Sequence, residues 1–136
     1  YVERQDELCA LAAHNFSFIG TGACPSSNND GTGSITCITC LDVDCLFLDP
    51  ARRDGHGGKT VAISDCEPDI GVLESLLVEK ADKVMVKLSP MLDLSLALKE
   101  LKTVSEVHIV SVGNECKELL LVLQKKPHFI RCFYSL

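Results

Sequence analysis

Two carboxylates follow segments that are predicted to be strands, and each stands where it could take part in chemistry. Glu3 lies just after a strand-like segment and before a helix, where a carboxylate can accept both hydroxyl hydrogens of a ribose. A solvated charge at a helix amino terminus is the competing interpretation of Glu3. Asp49 follows an apolar run and is held on a rigid turn by Pro50, although this pair would also serve as an ordinary strand stop.

Further ionisable side chains follow Asp49 closely in the sequence. They are Arg52, Arg53, Asp54 and His56. Their number favours a functional site over the simple termination of a strand. Ligands of open parallel sheets bind outside the carboxyl ends of the strands, which is where this segment would lie. Lys87 also stands near a predicted strand end, and it either serves this site or extends its ammonium into solvent.

The cysteines raise the question of a metal site. Cys37 and Cys40 form a C-x-x-C pair that could bind zinc or take part in redox chemistry. A structural zinc site usually has two such pairs, and the sequence has no second tight pair, so we predict no metal. Five other cysteines lie beside or within apolar runs: Cys9, Cys45, Cys66, Cys116 and Cys132. We expect these thiols to be reduced and mostly buried, as in a cytoplasmic protein.

The composition limits the classes of function. The 136 residues are 46% hydrophobic and carry 13 Lys and Arg against 19 Asp and Glu, which makes the net charge −6. Residues 1–67 hold four basic and ten acidic side chains, whereas residues 68–136 hold nine of each. Such a chain fits one globular domain over residues 1–136 and should by itself bind nucleic acid weakly. No uncharged apolar run approaches the roughly 18 residues that a membrane-spanning helix needs, so no membrane partner is predicted.

The first part of the sequence changes between strand and helix patterns. Residues 1–3 look like the end of a strand, and apolar spacings of three and four predict a helix over residues 5–19. Residues 21–33 are rich in Gly, Ser, Asn and Pro and are predicted to be a loop. Two strands are predicted next, a short one over residues 34–40 and a buried parallel one over residues 43–48.

The second part shows the same alternation. A helix is predicted over residues 70–81, with Pro68 in its first turn, and a second helix over residues 94–101, capped by Asp93. Buried strands are predicted over three further segments, residues 84–88, 107–112 and 119–123.

The link between the last two predicted strands decides their relative direction. It contains Gly113 and Asn114, which favour a turn, and it is much shorter than the dozen residues that a parallel crossover needs. These two strands must therefore be antiparallel, either as neighbours or on the two sides of one other strand. We predict an α/β fold with a mostly parallel, Rossmann-like sheet in which residues 43–48, 84–88 and 107–112 are central and residues 119–123 are reversed.

Glycine motifs that bind phosphate groups are incomplete in this chain. Neither Gly20-Thr21-Gly22 nor Gly31-Thr32-Gly33 continues to the third glycine of a dinucleotide-binding loop. Gly58-Lys59-Thr60 resembles the end of a P-loop, but Arg53 takes the first glycine position and a strand-like segment follows. These failures weaken a Rossmann-type oxidoreductase as an interpretation of the chain.

Three segments in this order resemble class I S-adenosylmethionine-dependent methyltransferases of the bacterial group that carries a THUMP-like domain. They are Leu46-Phe47-Leu48-Asp49-Pro50-Ala51-Arg52-Arg53, Ile63-Ser64-Asp65-Cys66-Glu67-Pro68-Asp69 and Val86-Lys87-Leu88-Ser89-Pro90-Met91. The resemblance implies S-adenosylmethionine as the cofactor, with Glu3 on its ribose, Asp30 at its adenine and Asp49 also in contact with it. It further implies that Asp49, Pro50 and Arg52 belong to the catalytic site.

The resemblance also carries expectations about what this chain contains. The chain would begin at the second strand of that fold, without the first strand and its glycine-rich loop, and we expect such a piece to bind the cofactor weakly. Ala51 and Arg52 stand where amino-methylating relatives have a proline and an aromatic residue that hold a flipped base. Arg52 and Arg53 could instead bind a phosphate or carboxylate of the substrate. RNA is one acceptor that this group implies, bound with the help of another domain.

Three functional hypotheses remain open on the sequence. In the first, the chain transfers a methyl group, and Asp49 orients or deprotonates the acceptor, because transfer from a sulfonium depends mainly on alignment and on proton removal. In the second, the chain is a nucleotide-binding or degenerate module without catalysis. The third is the Rossmann-type oxidoreductase.

Overall fold

The computed structural model describes residues 2–3, 6–19, 27–28, 43–52, 62–127 and 129–135. These residues belong to two units, residues 1–41 and residues 42–136. Within the described part of the chain, no helix is long and apolar enough to cross a membrane.

The first unit contains a parallel β-α-β arrangement. Strand β1 (Val2–Glu3), helix α1 (Asp6–Ile19) and strand β2 (Ser27–Asn28) follow one another along the chain. The two strands pair in parallel, and Glu3 lies beside Asn28 in their register. Both strands therefore end at the same edge of this small sheet.

The predictions for the first unit are confirmed in part. The helix predicted over residues 5–19 is present and begins one residue later. The loop predicted over residues 21–33 is wrong at Ser27 and Asn28, where main-chain pairing with β1 makes a strand in spite of the polar composition. The strand predicted over residues 34–40, with Cys37 and Cys40, lies outside the described residues.

Among the described residues, the second unit contains seven strands and two α-helices. They are β3 (Val43–Leu48), β4 (Ala51–Arg52), β5 (Cys66–Glu67), α2 (Ile70–Lys80), β6 (Ala81–Leu88), α3 (Leu94–Glu100), β7 (Val104–Val112), β8 (Glu115–Leu123) and β9 (Arg131–Ser135). A single 3₁₀ turn, Ile63–Asp65, precedes β5.

Five of these strands form one sheet in the order β3, β6, β8, β7, β9. Strands β3 and β6 are parallel, β8 is antiparallel to both β6 and β7, and β9 is parallel to β7. Because β6 and β7 both oppose β8, they run in the same direction as each other and as β3. The predicted reversed strand among parallel ones is thus confirmed.

The turn between β7 and β8 has the geometry that its residues favour. Gly113 and Asn114 have φ values of 60° and 64°, in the left-handed region. Glycine and asparagine adopt this conformation at little energetic disadvantage, and two such residues in succession make the tight turn that suits a twisted hairpin. The hairpin deduced from the short link is therefore formed by adjacent strands.

The core lies mainly on one face of the five-stranded sheet. Helix α2 packs against β6 and buries Ile70 and Leu77. The largest fully buried side chains are Ile63, Ile70, Leu77, Val84, Val86, Val107, Leu121 and Leu123. Val84 and Val86 alternate with exposed or half-buried neighbours along β6, because successive side chains of a strand point to opposite faces.

The prediction that β3 is a buried, central strand is wrong. Among the described strands β3 pairs with β6 alone, and it forms one edge of the five-stranded sheet. None of its six residues is buried, and 61% of Phe47 is exposed. Phe47 lies beside Met85, on the face opposite to buried Val84 and Val86, so its apolar character does not place it in the core.

The observed boundaries of helices and strands differ from several other predictions. Pro68 precedes α2 instead of lying in its first turn, because Asp69 caps the helix by accepting hydrogen bonds from the main-chain nitrogens of Gly71 and Val72. Ala81 is the first residue of β6. The cap predicted at Asp93 is confirmed. Strands β7 and β8 begin earlier than predicted, and strand β9 has no counterpart among the predictions.

Cys45, Cys116 and Cys132 are free thiols, and the burial of the described cysteine side chains differs in part from the prediction. Cys66 is buried and Cys116 is half-buried. Cys45 and Cys132 are exposed, so for these two the prediction of burial is wrong. Both lie on strands at the edges of the sheet, where an apolar neighbourhood in the sequence does not ensure packing on both faces.

Polar contacts attach β9 to β7. Glu106 accepts hydrogen bonds from Arg131 Nη2 at 2.6 Å and from His108 Nε2 at 3.0 Å. The His108 ring stacks on Phe133 with 4.6 Å between ring centroids. These side chains meet because Glu106 lies opposite Arg131 and His108 opposite Phe133 in the parallel register. The edge strand is therefore held by charge as well as by main-chain pairing.

We expect this attachment to make stability depend on acid pH. The hydrogen bond from His108 and the charge of Arg131 lower the pKa of Glu106 below its ordinary value of 4.5. A carboxyl group with a lowered folded-state pKa stabilises the fold fully above that ordinary value, and the contribution disappears as pH falls through the folded-state pKa. Wild type should thus lose about 1 kcal/mol more unfolding free energy on acidification than Glu106→Gln.

Urea titrations at pH 7 and at acid pH measure the unfolding free energies of wild type, Glu106→Gln and a control variant, Glu79→Gln. Glu79→Gln changes an exposed glutamate of α2 and should behave as wild type. An acid dependence that is the same in wild type and Glu106→Gln would contradict the prediction.

Candidate functional site

A cavity of about 230 Å³ opens at the carboxyl ends of β3 and β6. Its polar and turn-forming lining includes Asp49, Pro50, Lys87, Ser89, Lys117 and Glu118. This is the edge at which open parallel sheets bind their ligands. Asp49 and Pro50, two of the predicted site residues, therefore line a cavity of the second unit.

The parallel register brings Asp49 and Lys87 together. Leu48, the last residue of β3, lies beside Val86 of β6, so the residues that follow each of them are also neighbours. Pro50 and Pro90 come shortly after the strands, and each prevents regular strand pairing from continuing. Both strands consequently stop at the cavity, and its lining includes Lys87 of β6 and Asp49, the residue after β3.

Asp49 and Lys87 form an ion pair at the mouth of the cavity. Lys87 Nζ donates a hydrogen bond to Asp49 Oδ2 at 2.6 Å, and Glu118 Oε2 lies 4.0 Å from the same nitrogen. The side chains of Lys87 and Asp49 are 34% and 55% exposed. An ion pair so accessible to water contributes little to stability, so its main effect is on the geometry and charge of the site.

The two carboxylates determine the protonation of Lys87. The hydrogen bond to Asp49, together with the negative charges of Asp49 and Glu118, raises the pKa of Lys87 above its ordinary 10.5, although partial burial acts in the opposite direction. The amine is therefore an ammonium near neutral pH. It can donate hydrogen bonds and balance negative charge, but it cannot serve there as a base.

A short pair of strands fixes the chain just beyond Asp49. Strands β4 and β5 are antiparallel, with Ala51 opposite Glu67 and Arg52 opposite Cys66. Main-chain pairing therefore holds the segment on both sides of Pro50, with β3 before it and β4 after it. The backbone of Arg52 belongs to β4, but its side chain is outside the described set, as are Arg53, Asp54 and His56.

Sequence reasoning missed the contribution of β8 to this cavity. Lys117 and Glu118 lie near the start of β8, and Lys117 Nζ also donates to Glu115 Oε2 at 2.5 Å. They reach the carboxyl end of β6 because β8 runs antiparallel to β6 and its first residues lie at that edge. The reversed direction of β8 was predicted, so the polar residues at its start were a signal that could have identified them.

The residues predicted to bind the cofactor belong to different parts of the chain. Glu3 is the last residue of β1, and its backbone lies beside that of Asn28, but its side chain is outside the described set. Asp30 follows β2 by two residues and lies outside the described residues. Asp49 belongs to the second unit and lines the cavity there.

Comparison with solved structures identifies the architecture. The chain is similar to the crystal structure of a protein named a putative methyltransferase from Porphyromonas gingivalis W83, with a TM-score of 0.77 and 34% sequence identity. The fold is Rossmann-like, of the class I methyltransferase type. The match covers 92% of this chain, which spans 30% of the length of the other protein. No family model matches the chain, and no curated protein does.

Proposed function

We propose that this chain takes part in methyl transfer from S-adenosylmethionine. The observation that carries the proposal is the placement of the Asp49 carboxylate on a cavity at the carboxyl ends of β3 and β6. The strand order, with β8 reversed between β6 and β7, and the similarity to the Porphyromonas gingivalis protein support it.

The chain offers residues of suitable type for the cofactor. Glu3 ends a strand that is parallel to β2, at the edge where a carboxylate can accept both ribose hydroxyl hydrogens. Asp30, shortly after β2, is the residue proposed for the adenine. When bound, S-adenosylmethionine supplies an electrophilic methyl group.

Asp49 is the residue that we propose acts on the acceptor. A nitrogen or oxygen that becomes methylated must lose a proton, and a carboxylate at the cavity can orient that N–H or O–H group and accept the proton. Lys87 stays positively charged beside it and compensates its negative charge, while Pro50 and the pairing of β4 with β5 fix the backbone. The Arg52 side chain is proposed to bind an anionic group of the acceptor.

The methyl acceptor is proposed to carry an N–H or O–H group that donates a hydrogen bond to Asp49. RNA is the candidate to test first. The net charge of −6 makes tight binding of a phosphate backbone by this chain alone unfavourable. Recognition of RNA would then depend on contacts made by another domain, and the chain would provide the reaction site.

Transfer of radioactive methyl groups tests the proposal. The complete gene product is incubated with methyl-tritiated S-adenosylmethionine and, separately, with RNA, with protein and with small molecules from cells that lack the gene. We expect label in one fraction, and an initial labelling rate lower by about 10²-fold to 10⁴-fold when Asp49→Asn replaces wild type. Cofactor binding by calorimetry without label in any fraction would favour the nucleotide-binding module, and absence of both would refute the proposal.

A further inference from the structure

Lys87 differs in its surroundings from a lysine that only keeps a strand soluble. It lies between Val86 and Leu88, which are both buried in the core. Its side chain points to the opposite face of the sheet and lines the cavity, with 34% of it exposed. A lysine without a binding partner would extend its ammonium into water, whereas this ammonium is bound by other side chains.

Two carboxylates from the strands on either side hold this ammonium. Asp49 follows β3, which pairs with β6 on one side, and Glu118 belongs to β8, which pairs with β6 on the other. The distances from Lys87 Nζ are 2.6 Å to Asp49 Oδ2 and 4.0 Å to Glu118 Oε2. The three side chains therefore form a row across three adjacent strands at the edge where the cavity opens.

The two carboxylate oxygens of Asp49 differ in their hydrogen bonds. Oδ2 accepts the hydrogen bond from Lys87, and no described residue donates to Oδ1. An aspartate at a strand end can rotate about its first side-chain torsion unless a partner restrains it. A hydrogen bond from Lys87 can restrain this torsion, and Oδ1, which receives no hydrogen bond from a described residue, can accept one from the methyl acceptor.

We propose that Lys87 is a positioning residue, which restrains the Asp49 carboxylate through Oδ2 so that Oδ1 faces the acceptor. Glu118 holds the ammonium from the other side and keeps it at this place. The inference rests on the proposed function, because it requires a methyl acceptor that forms a hydrogen bond with Asp49. Lys87 itself does not touch the reacting atoms and acts through Asp49.

The orientation of Asp49 can be measured without any acceptor. In the 136-residue chain, NMR three-bond couplings from the Asp49 carboxyl carbon to its own amide nitrogen and carbonyl carbon report the first side-chain torsion. We expect couplings of one rotamer in wild type, averaged couplings in Lys87→Met, and couplings near wild type in Lys87→Arg, which retains a donor and a positive charge. Lys83→Met removes an exposed lysine from the same strand and should leave them unchanged.

Kinetics of the complete gene product give the second measurement. With the acceptor found in the labelling experiment, kcat should fall in Lys87→Met by about threefold to tenfold, a modest change because the ion pair is partly exposed. KM for S-adenosylmethionine should stay the same, and Lys87→Arg should recover most of kcat.

Two results would overturn the proposal. One is a single Asp49 rotamer that persists in Lys87→Met, and the other is a kcat in that variant equal to the wild-type value. If wild type transfers no methyl group to any acceptor, the proposed function fails, and the couplings still decide whether Lys87 positions Asp49. The two failures are therefore distinguishable.

Discussion

Replacing Asp49 by asparagine is expected to slow methyl transfer by about 10²-fold to 10⁴-fold, the range typical of a positioned acid or base. The amide has nearly the size of the carboxylate, and its oxygen can still accept the hydrogen bond from Lys87. It cannot take a proton from the acceptor at neutral pH. We therefore expect kcat to fall while the fold and the affinity for S-adenosylmethionine are retained, as measured by single-turnover kinetics and calorimetry.

A matched variant separates this role from a general effect of charge. Asp44 is an exposed aspartate on the same strand, β3, and Asp44→Asn removes one negative charge away from the cavity. Its transfer rate should equal that of wild type. If Asp49→Asn also transfers at the wild-type rate, Asp49 and Pro50 only end the strand, and proton removal must be assigned to another group.

The second large effect is expected on cofactor affinity. Glu3→Gln keeps the shape of the side chain, but its hydrogen bonds to the ribose hydroxyls lose the assistance of a full charge. A hydrogen bond to a charged group contributes roughly 1.5 to 3 kcal/mol, and a neutral one roughly 0.5 to 1.5 kcal/mol. With two such bonds weakened, the Kd for S-adenosylmethionine should rise by about tenfold to a hundredfold.

Calorimetry on the complete gene product measures this change. Glu7→Gln alters an exposed glutamate at the start of α1 and should leave the Kd unchanged. At saturating cofactor the Glu3 variant should transfer at close to the wild-type rate, in contrast to the Asp49 variant. Cofactor affinity equal to wild type in Glu3→Gln would show that Glu3 is a solvated charge at the beginning of a helix.

Much of the fold followed from local patterns in the sequence. The apolar run before Asp49 predicted β3, the spacing of leucines predicted α2, and the short link at Gly113 and Asn114 required β8 to reverse. Strand β9 was missed because it is five residues long and largely exposed, and its pairing with β7 depends on a neighbour distant in the sequence. The burial of β3 was also predicted wrongly, since apolar composition does not reveal whether a strand has one neighbour or two.

The candidate site was predicted less completely than the fold. Asp49 and Pro50 were recognisable from their position at a strand end. Lys87 was recognised as a candidate for the same site, but its ion pair with Asp49 was not predicted, because the two residues are 38 positions apart and become neighbours only through the parallel register of β3 and β6. Lys117 and Glu118 were missed for a similar reason, since their arrival at the cavity depends on the direction of β8 and on its place beside β6.

The tight turn between β7 and β8 also has a consequence for the order of events in folding. Pairing of these two strands closes a loop of only a few residues, whereas pairing of β8 with β6 or of β6 with β3 joins segments far apart in the chain. Loop-closure entropy rises with the length of the loop, so we expect the β7 and β8 hairpin to form first and to provide the template on which β6 docks. In pulsed hydrogen exchange during refolding, amides of β8 that bond to β7 should gain protection before those of β3, and simultaneous protection would contradict this order.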